Sequence, residues 1–134
     1  MEAYDEIYIA KNNHYELKVS RLKNSAELYL KGYWDENAQM EYYMEDVKKA
    51  TSMLSSGFTF LVDLSEFTGC IPCYLQKTIE AQKHLVNCGL GVTAEVLPQN
   101  PMLKPIAELL SKESGMNTVY FNNRASALRF LALY

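Results

Sequence analysis

The chain has 134 residues, 49% of them hydrophobic and 22% charged, with a net charge of −3. That is the size of one domain and the balance of an ordinary folded protein, which argues against disorder and leaves no cationic surplus for nucleic acid or anionic lipid. No run approaches the roughly 18 apolar residues of a membrane span, and residues 1–6 lack the basic and apolar regions of an export signal, so a soluble, cytoplasmic protein is expected.

Residues 1–14 read as an N-terminal arm or an extra edge strand around Ile7 and Ile9, and residues 15–134 as a single domain. Residues 15–19 and 27–34 have strand composition and are joined by the polar turn Lys23-Asn24-Ser25, which predicts an antiparallel hairpin. Asp35 or Asn37 then caps a helix in which Met40, Tyr43, Met44, Val47, Ala50 and Leu54 recur at three- and four-residue intervals up to Ser55-Ser56-Gly57. A methionine and tyrosine stripe of this kind suits a partner groove or a core, and core packing against a sheet is the commoner use.

Residues 57–65 are an almost unbroken apolar run ending in Asp63, the pattern of a central parallel strand covered on both faces. In open α/β sheets, ligands and partners meet the carboxyl ends of such strands. Asp63, Ser65, Glu66, Thr68, Cys70, Pro72 and Cys73 therefore form the candidate interaction surface, on a loop and helix start after the strand. Pro72 opens a second helix that Gly89 closes, with Leu75, Ile79, Leu85 and Val86 inward. Residues 91–97 are a further strand. Asn100-Pro101 opens a third helix whose regular start Pro105 delays, and residues 118–121 are a last strand. Asn122 or Asn123 caps a terminal helix with Ala125, Leu128, Leu131 and Ala132 inward.

Several segments carry chemical signals. Cys70-Ile71-Pro72-Cys73 stands where a strand meets a helix, the setting of a dithiol redox motif, but Thr68-Gly69 replaces the usual preceding aromatic residue and the strand order differs from a thioredoxin. The series Cys70, Cys73, His84, Cys88 has finger-like spacing, yet one helix would hold Cys73 and His84 about 16 Å apart, too far to share an ion. Asp63, Glu66 and Glu95 are carboxylates without a positioned histidine or nucleophile, so no catalytic set is predicted. Ser65 and Thr68 are hydroxyls that phosphorylation could reach, although turn formation is their commoner role. Glycine-rich phosphate loops are absent, three cysteines read as reduced thiols, and no metal or cofactor is expected.

Leu30-x-Gly32-x-Trp34, Leu61-Val62-Asp63-Leu64-Ser65, Val96-Leu97-Pro98 and Phe121-x4-Ser126-Ala127-Leu128-x2-Leu131, in this order of elements, resemble the STAS domain family from about Tyr15 onward. The resemblance implies an α/β fold with a mixed four- or five-stranded sheet, an N-terminal antiparallel hairpin and about four helices. It also implies a switchable binding module of the kind found in anti-sigma factor antagonists and sulfate transporters, not an enzyme. The family's antagonists carry a phosphorylated Asp-Ser pair at the helix start; counting from Asp63 puts Ile71-Pro72 there, and proline has no hydroxyl. The chain looks like a divergent stand-alone relative, some of which present an apolar pocket for which lipid binding has been suggested. The expectation is thus a non-catalytic regulatory or protein-interaction module, with a carrier or sensor of a small apolar ligand and a dithiol oxidoreductase as alternatives. A protein partner is expected and nucleic acid is not, while an edge strand near the N-terminus leaves homodimerisation open.

Overall fold

Twelve residues, Thr59–Cys70, form the strand around which the chain is laid out, and their first half is the apolar run. The computed structural model describes residues 5–36 and 40–134, the side chains of residues 40 and 41 excepted. In chain order the elements are β1 (Glu6–Lys11), β2 (Tyr15–Ser20), β3 (Ser25–Trp34), α1 (Met40–Thr51), β4 (Thr59–Cys70), α2 (Cys73–Asn87), β5 (Val92–Val96), α3 (Lys104–Ser114), β6 (Thr118–Phe121) and α4 (Arg124–Leu131).

The strands lie in the sheet in chain order. β1, β2 and β3 pair antiparallel, and β3 to β6 pair parallel. Parallel neighbours need a crossover, and α1, α2 and α3 supply the three. β4 thereby sits between two parallel partners, Leu61 standing beside Glu27 on β3 and Ala94 on β5. The hairpin of β2 and β3 gains a sixth strand at its outer edge, where Glu6–Lys11 pairs with β2 across an irregularity at Tyr8/Ala10. Residues 1–4 lie outside the described residues, as does Asn37, one of the two proposed caps of α1.

Alternation along β4 lets one apolar run serve two cores. Phe60, Val62 and Leu64 point to the face carrying Tyr43 and Val47 of α1, Tyr74 and Leu85 of α2 and Ala107 of α3. Leu61 points the other way, into a smaller core with Ala94, Val96 and Ala127 of α4. Trp34 closes the first core at the end of β3, its ring centroid 5.6 Å from Tyr15 and 5.4 Å from Tyr43.

Local chemistry ends several helices where the sequence predicts. Gly89 follows α2 with φ +96°, and the Gly89 and Leu90 N–H groups bond to the Val86 and Leu85 carbonyls, the paired bonds of a Schellman closure. A side chain could not replace its hydrogen, because a Cβ there would lie 2.8 Å from the Ser56 Cα. Asn100 accepts the Met102 N–H and starts a 3-10 turn, after which α3 begins with Pro105 in its first turn. Asn123 caps α4 by accepting the Ser126 N–H at 2.9 Å.

Three expectations need correction. The segment after Asp63 is not a loop: β4 continues to Cys70, with Lys31 beside Glu66, Gly32 beside Phe67 and Trp34 beside Cys70. Its polar composition suggests a turn, but the ten-residue β3 extends alongside and pairs it, whereas β5 stops at the Asp63/Val96 pair. α1 ends at Thr51, short of Ser55-Ser56-Gly57, and Met53 and Leu54 pack on the core from the turn beyond it. In α4 the inward face is Ala127 with Phe130 and Leu131, while Leu128 is exposed and Ala125 and Ala132 lie outward. Arg124, Ala127 and Leu131 share one side of a helix, and Arg124 reaches across to Asp63, which turns that side to the sheet.

Candidate functional site

The side chains of Phe60, Val62 and Leu64 on β4 and Leu28 and Leu30 on β3 do not meet α2 and α3 flush. Between them lies a cavity of about 340 Å³, within the range of small-molecule sites. α2 contributes Tyr74, Leu75 and Leu85, and α3 contributes Ile106, Ala107 and Leu110. The paired extension of β3 and β4 supplies the outer wall through Tyr33, Phe67 and Gly69. Tyr33, Thr68, Pro72 and Ile106 are exposed as well as lining, so they ring the mouth. Gly69 has φ +126°, a conformation side chains rarely take, and the space a Cβ would enter is bordered by the Tyr33 ring and Leu103.

Thr68, Thr78 and Gln82 also line the cavity, and Glu95 is the acidic side chain in this mainly apolar lining. It stands in mid-strand on β5 between Val62 of β4 and Tyr120 of β6, 3% exposed, and its Oε2 has no hydrogen-bond partner among the described residues. Burial without a counter-charge pushes its pKa up to about 8, so the carboxyl is mostly neutral at pH 7. Burial, and next the charge Glu95 would carry, push Tyr43 up as well.

No family model matches the chain, and no curated protein matches it. Among solved structures, an uncharacterized protein from the DUF3478 family with a SpoIIAA-like fold, from Shewanella loihica PV-4, is similar with a TM-score of 0.68. The likeness covers 91% of this chain and 97% of that one at 11% sequence identity. The fold is SpoIIAA-like. It is the fold of the anti-sigma factor antagonists that the short apolar motifs resembled.

The SpoIIAA-like fold divides five of the seven predicted surface residues between two faces. Thr68, Cys70 and Pro72 belong to the cavity wall and mouth. Asp63 and Ser65 line a polar cleft on the opposite side of the sheet, with Lys18, Glu27, Tyr29 and Arg124. Glu66 and Cys73 are exposed and line neither. Asp63 Oδ1 accepts the Ser65 N–H at 2.9 Å and Oδ2 accepts Arg124 Nη1 at 3.1 Å. Arg124 also pairs with Glu27, which Lys18 approaches at 3.8 Å while bridging to Glu6. The cleft is therefore a network of ion pairs in which two cations, Lys18 and Arg124, are shared among three carboxylates. Asp63 is nearly buried whereas Arg124 is 41% exposed, so Arg124→Met is expected to lower the unfolding free energy by about 2 kcal/mol, chiefly by stranding Asp63. Urea denaturation checks this, and an unchanged midpoint would show that the pair does not matter.

Cys70, Cys73 and Cys88 are free thiols. Burial, and then its neighbour Cys73, push the Cys70 thiol up, the reverse of what a nucleophilic thiolate needs. α2 carries Cys73 and His84 on one uninterrupted helix, while His84 Nε2 lies 2.9 Å from Thr51 Oγ1 and 3.5 Å from Cys88 Sγ. Among the described residues no three His, Cys, Asp or Glu side chains are placed to hold a metal ion, and no helix is long and apolar enough to cross a membrane.

Sequence reasoning placed Glu95 only as a distant carboxylate and missed the role of Arg124. The signal for Glu95 was present: an acid inside Val92-Thr93-Ala94-Glu95-Val96, a strand buried along its whole length. Nothing local marks Arg124, whose partner Asp63 is 61 positions away.

Proposed function

We propose that this domain is a non-catalytic binding module that holds a small, mainly apolar molecule between its sheet and α2/α3, as a carrier or sensor. The observation that carries this reading is the interior cavity of about 340 Å³ with an almost wholly apolar lining and an open mouth. Apolar space of that size is costly to leave empty, because its lining lacks contacts on one side, and filling it recovers them. Native mass spectrometry of freshly purified protein is expected to show a bound lipid or another apolar adduct. Ala107→Phe, which builds a ring into the cavity from α3, is expected to lose that adduct and uptake of an added fatty alcohol while keeping a cooperative melt. A clean apo mass together with equal uptake by wild type and variant would overturn the reading.

A second reading, a regulatory protein-interaction module, is favoured by the exposed apolar side chains at the mouth, Tyr33 at 51% and Ile106 at 39%. There Thr68, Cys70 and Pro72 would meet the partner beside a bound ligand. Alanine substitutions at Tyr33, Thr68, Pro72 and Ile106 that leave captured partners unchanged would count against it.

A further inference from the structure

We propose that the cavity's occupant is an uncharged apolar molecule bearing one hydrogen-bond-accepting oxygen, and that Glu95 seats that oxygen by donating its carboxyl proton. The inference deepens the apolar-ligand reading and rests on it.

Geometry supplies the first reason. Thr93 and Glu95 point to the α2/α3 side of β5 while Ala94 and Val96 point into the α4 core, so Glu95 projects among the cavity's apolar walls. The other buried polar side chains on that side have partners: Ser114 Oγ donates to Gln82 Oε1 at 2.7 Å and Thr118 Oγ1 to Ser111 Oγ at 3.1 Å. Glu95 Oε2 has none among the described residues. Buried polar atoms are nearly always paired, and an unpaired one beside empty space points to a group that arrives with a ligand.

Charge supplies the second. No Lys, Arg or His lines the cavity among the described residues. The titratable groups around it are Tyr33 from β3, Cys70 from β4, Tyr43 from α1 and Tyr74 from α2, with Tyr120 of β6 adjoining Glu95, and none of these residue types is a cation; α3 contributes only apolar side chains. With no cation to hold it ionised, Glu95 stays protonated and its O–H is the free valence. A ketone, ester or alcohol oxygen satisfies that donor without bringing charge into the interior. A carboxylate or an ammonium would have to be desolvated there, at a cost of several kcal/mol per ion.

The test uses four probes of equal chain length, octane, 2-octanone, octylamine and octanoate, titrated into ligand-free protein. Trp34, the one tryptophan and a cavity-lining residue, reports binding by its fluorescence. Wild type is expected to bind 2-octanone roughly five- to tenfold more tightly than octane, the worth of one net hydrogen bond. Glu95→Leu should abolish that preference while still binding octane, and Glu95→Gln, whose amide donates, should retain most of it. Wild-type affinity for the ketone should fall as pH rises from 6 to 9 as Glu95 loses its proton, and that of Glu95→Gln should not. A preference for octylamine or octanoate, or a ketone preference that survives in Glu95→Leu, would overturn the assignment and leave the apolar cavity standing. Failure of all four probes to bind any form would overturn the cavity reading and this inference together.

Discussion

Ligand-free wild-type protein is expected to lose stability steadily between about pH 4.5 and pH 8, and Glu95→Gln is expected not to follow it. The ordinary pKa of a glutamate is 4.5, and in the folded domain burial raises that of Glu95 to about 8. Below the lower value both states hold the proton and the residue contributes no slope. Between the two values the unfolded chain releases its proton while the folded one keeps it, so the folded state binds more protons and rising pH favours unfolding. Above the upper value both are ionised and the loss levels off. The whole span amounts to about 5 kcal/mol at 1.36 kcal/mol per pKa unit. That is large for a domain whose total stability is of order 5–15 kcal/mol. Urea midpoints measured across this range for wild type and variant isolate Glu95, because the other titrations cancel in the difference. Parallel curves would show that Glu95 is ionised, or solvated, in the folded state. Glu95→Leu, which removes the unpaired carboxyl, is expected to be the more stable protein at neutral pH.

The second large effect is expected at Trp34. Its ring is 4% exposed, its Nε1 donates to the Lys31 carbonyl at 3.2 Å, and it meets Tyr15, Tyr43, Phe67 and His14 with centroids 5.4–6.4 Å away. Three of these contacts are edge-to-face, the arrangement that aromatic quadrupoles favour. Trp34→Ala removes the ring from a place where β3, β2, α1 and β4 meet and joins its volume to the neighbouring cavity, so collapse cannot refill it. The expected loss is about 4 kcal/mol, against about 1–2 kcal/mol for Trp34→Phe. Circular dichroism during urea denaturation measures it without relying on tryptophan emission. If the alanine variant unfolded within a few tenths of a molar of wild type, the aromatic cluster would be peripheral to stability.

Pro72 links the structure to the departure from the antagonist pattern. Where an Asp-Ser pair would stand there are Ile71 and Pro72, and Pro72 occupies the N-cap position of α2 with φ −56° while lining the cavity mouth. Pro72 thus puts a rigid ring without a hydroxyl on the rim of the cavity.

Much of the architecture is legible in short stretches of sequence. The apolar run from Phe58 to Leu64 announced a strand covered on both faces, and the two cores it feeds are what such a run requires. Gly89, Asn100 and Asn123 marked helix boundaries because capping is a matter of a few adjacent backbone groups. The extension of β4 over residues 65–70 was not legible, since Ser65, Glu66, Thr68 and Gly69 have turn composition and their strand state depends on the length of β3 beside them. The face of α4 was misread because the bond from Arg124 to Asp63, 61 positions away, outweighs an ambiguous spacing in eight residues.

The sequence by itself determined which segments are strands and helices at the centre of the fold and where most of them stop, because those properties depend on residues a few positions apart. The tertiary structure decided where the apolar surfaces fail to meet, and so created the cavity, stranded the carboxyl of Glu95 in its lining and split the predicted surface across two sides of the sheet. A void is a relation among β3, β4, α2 and α3, and no single stretch of chain contains it.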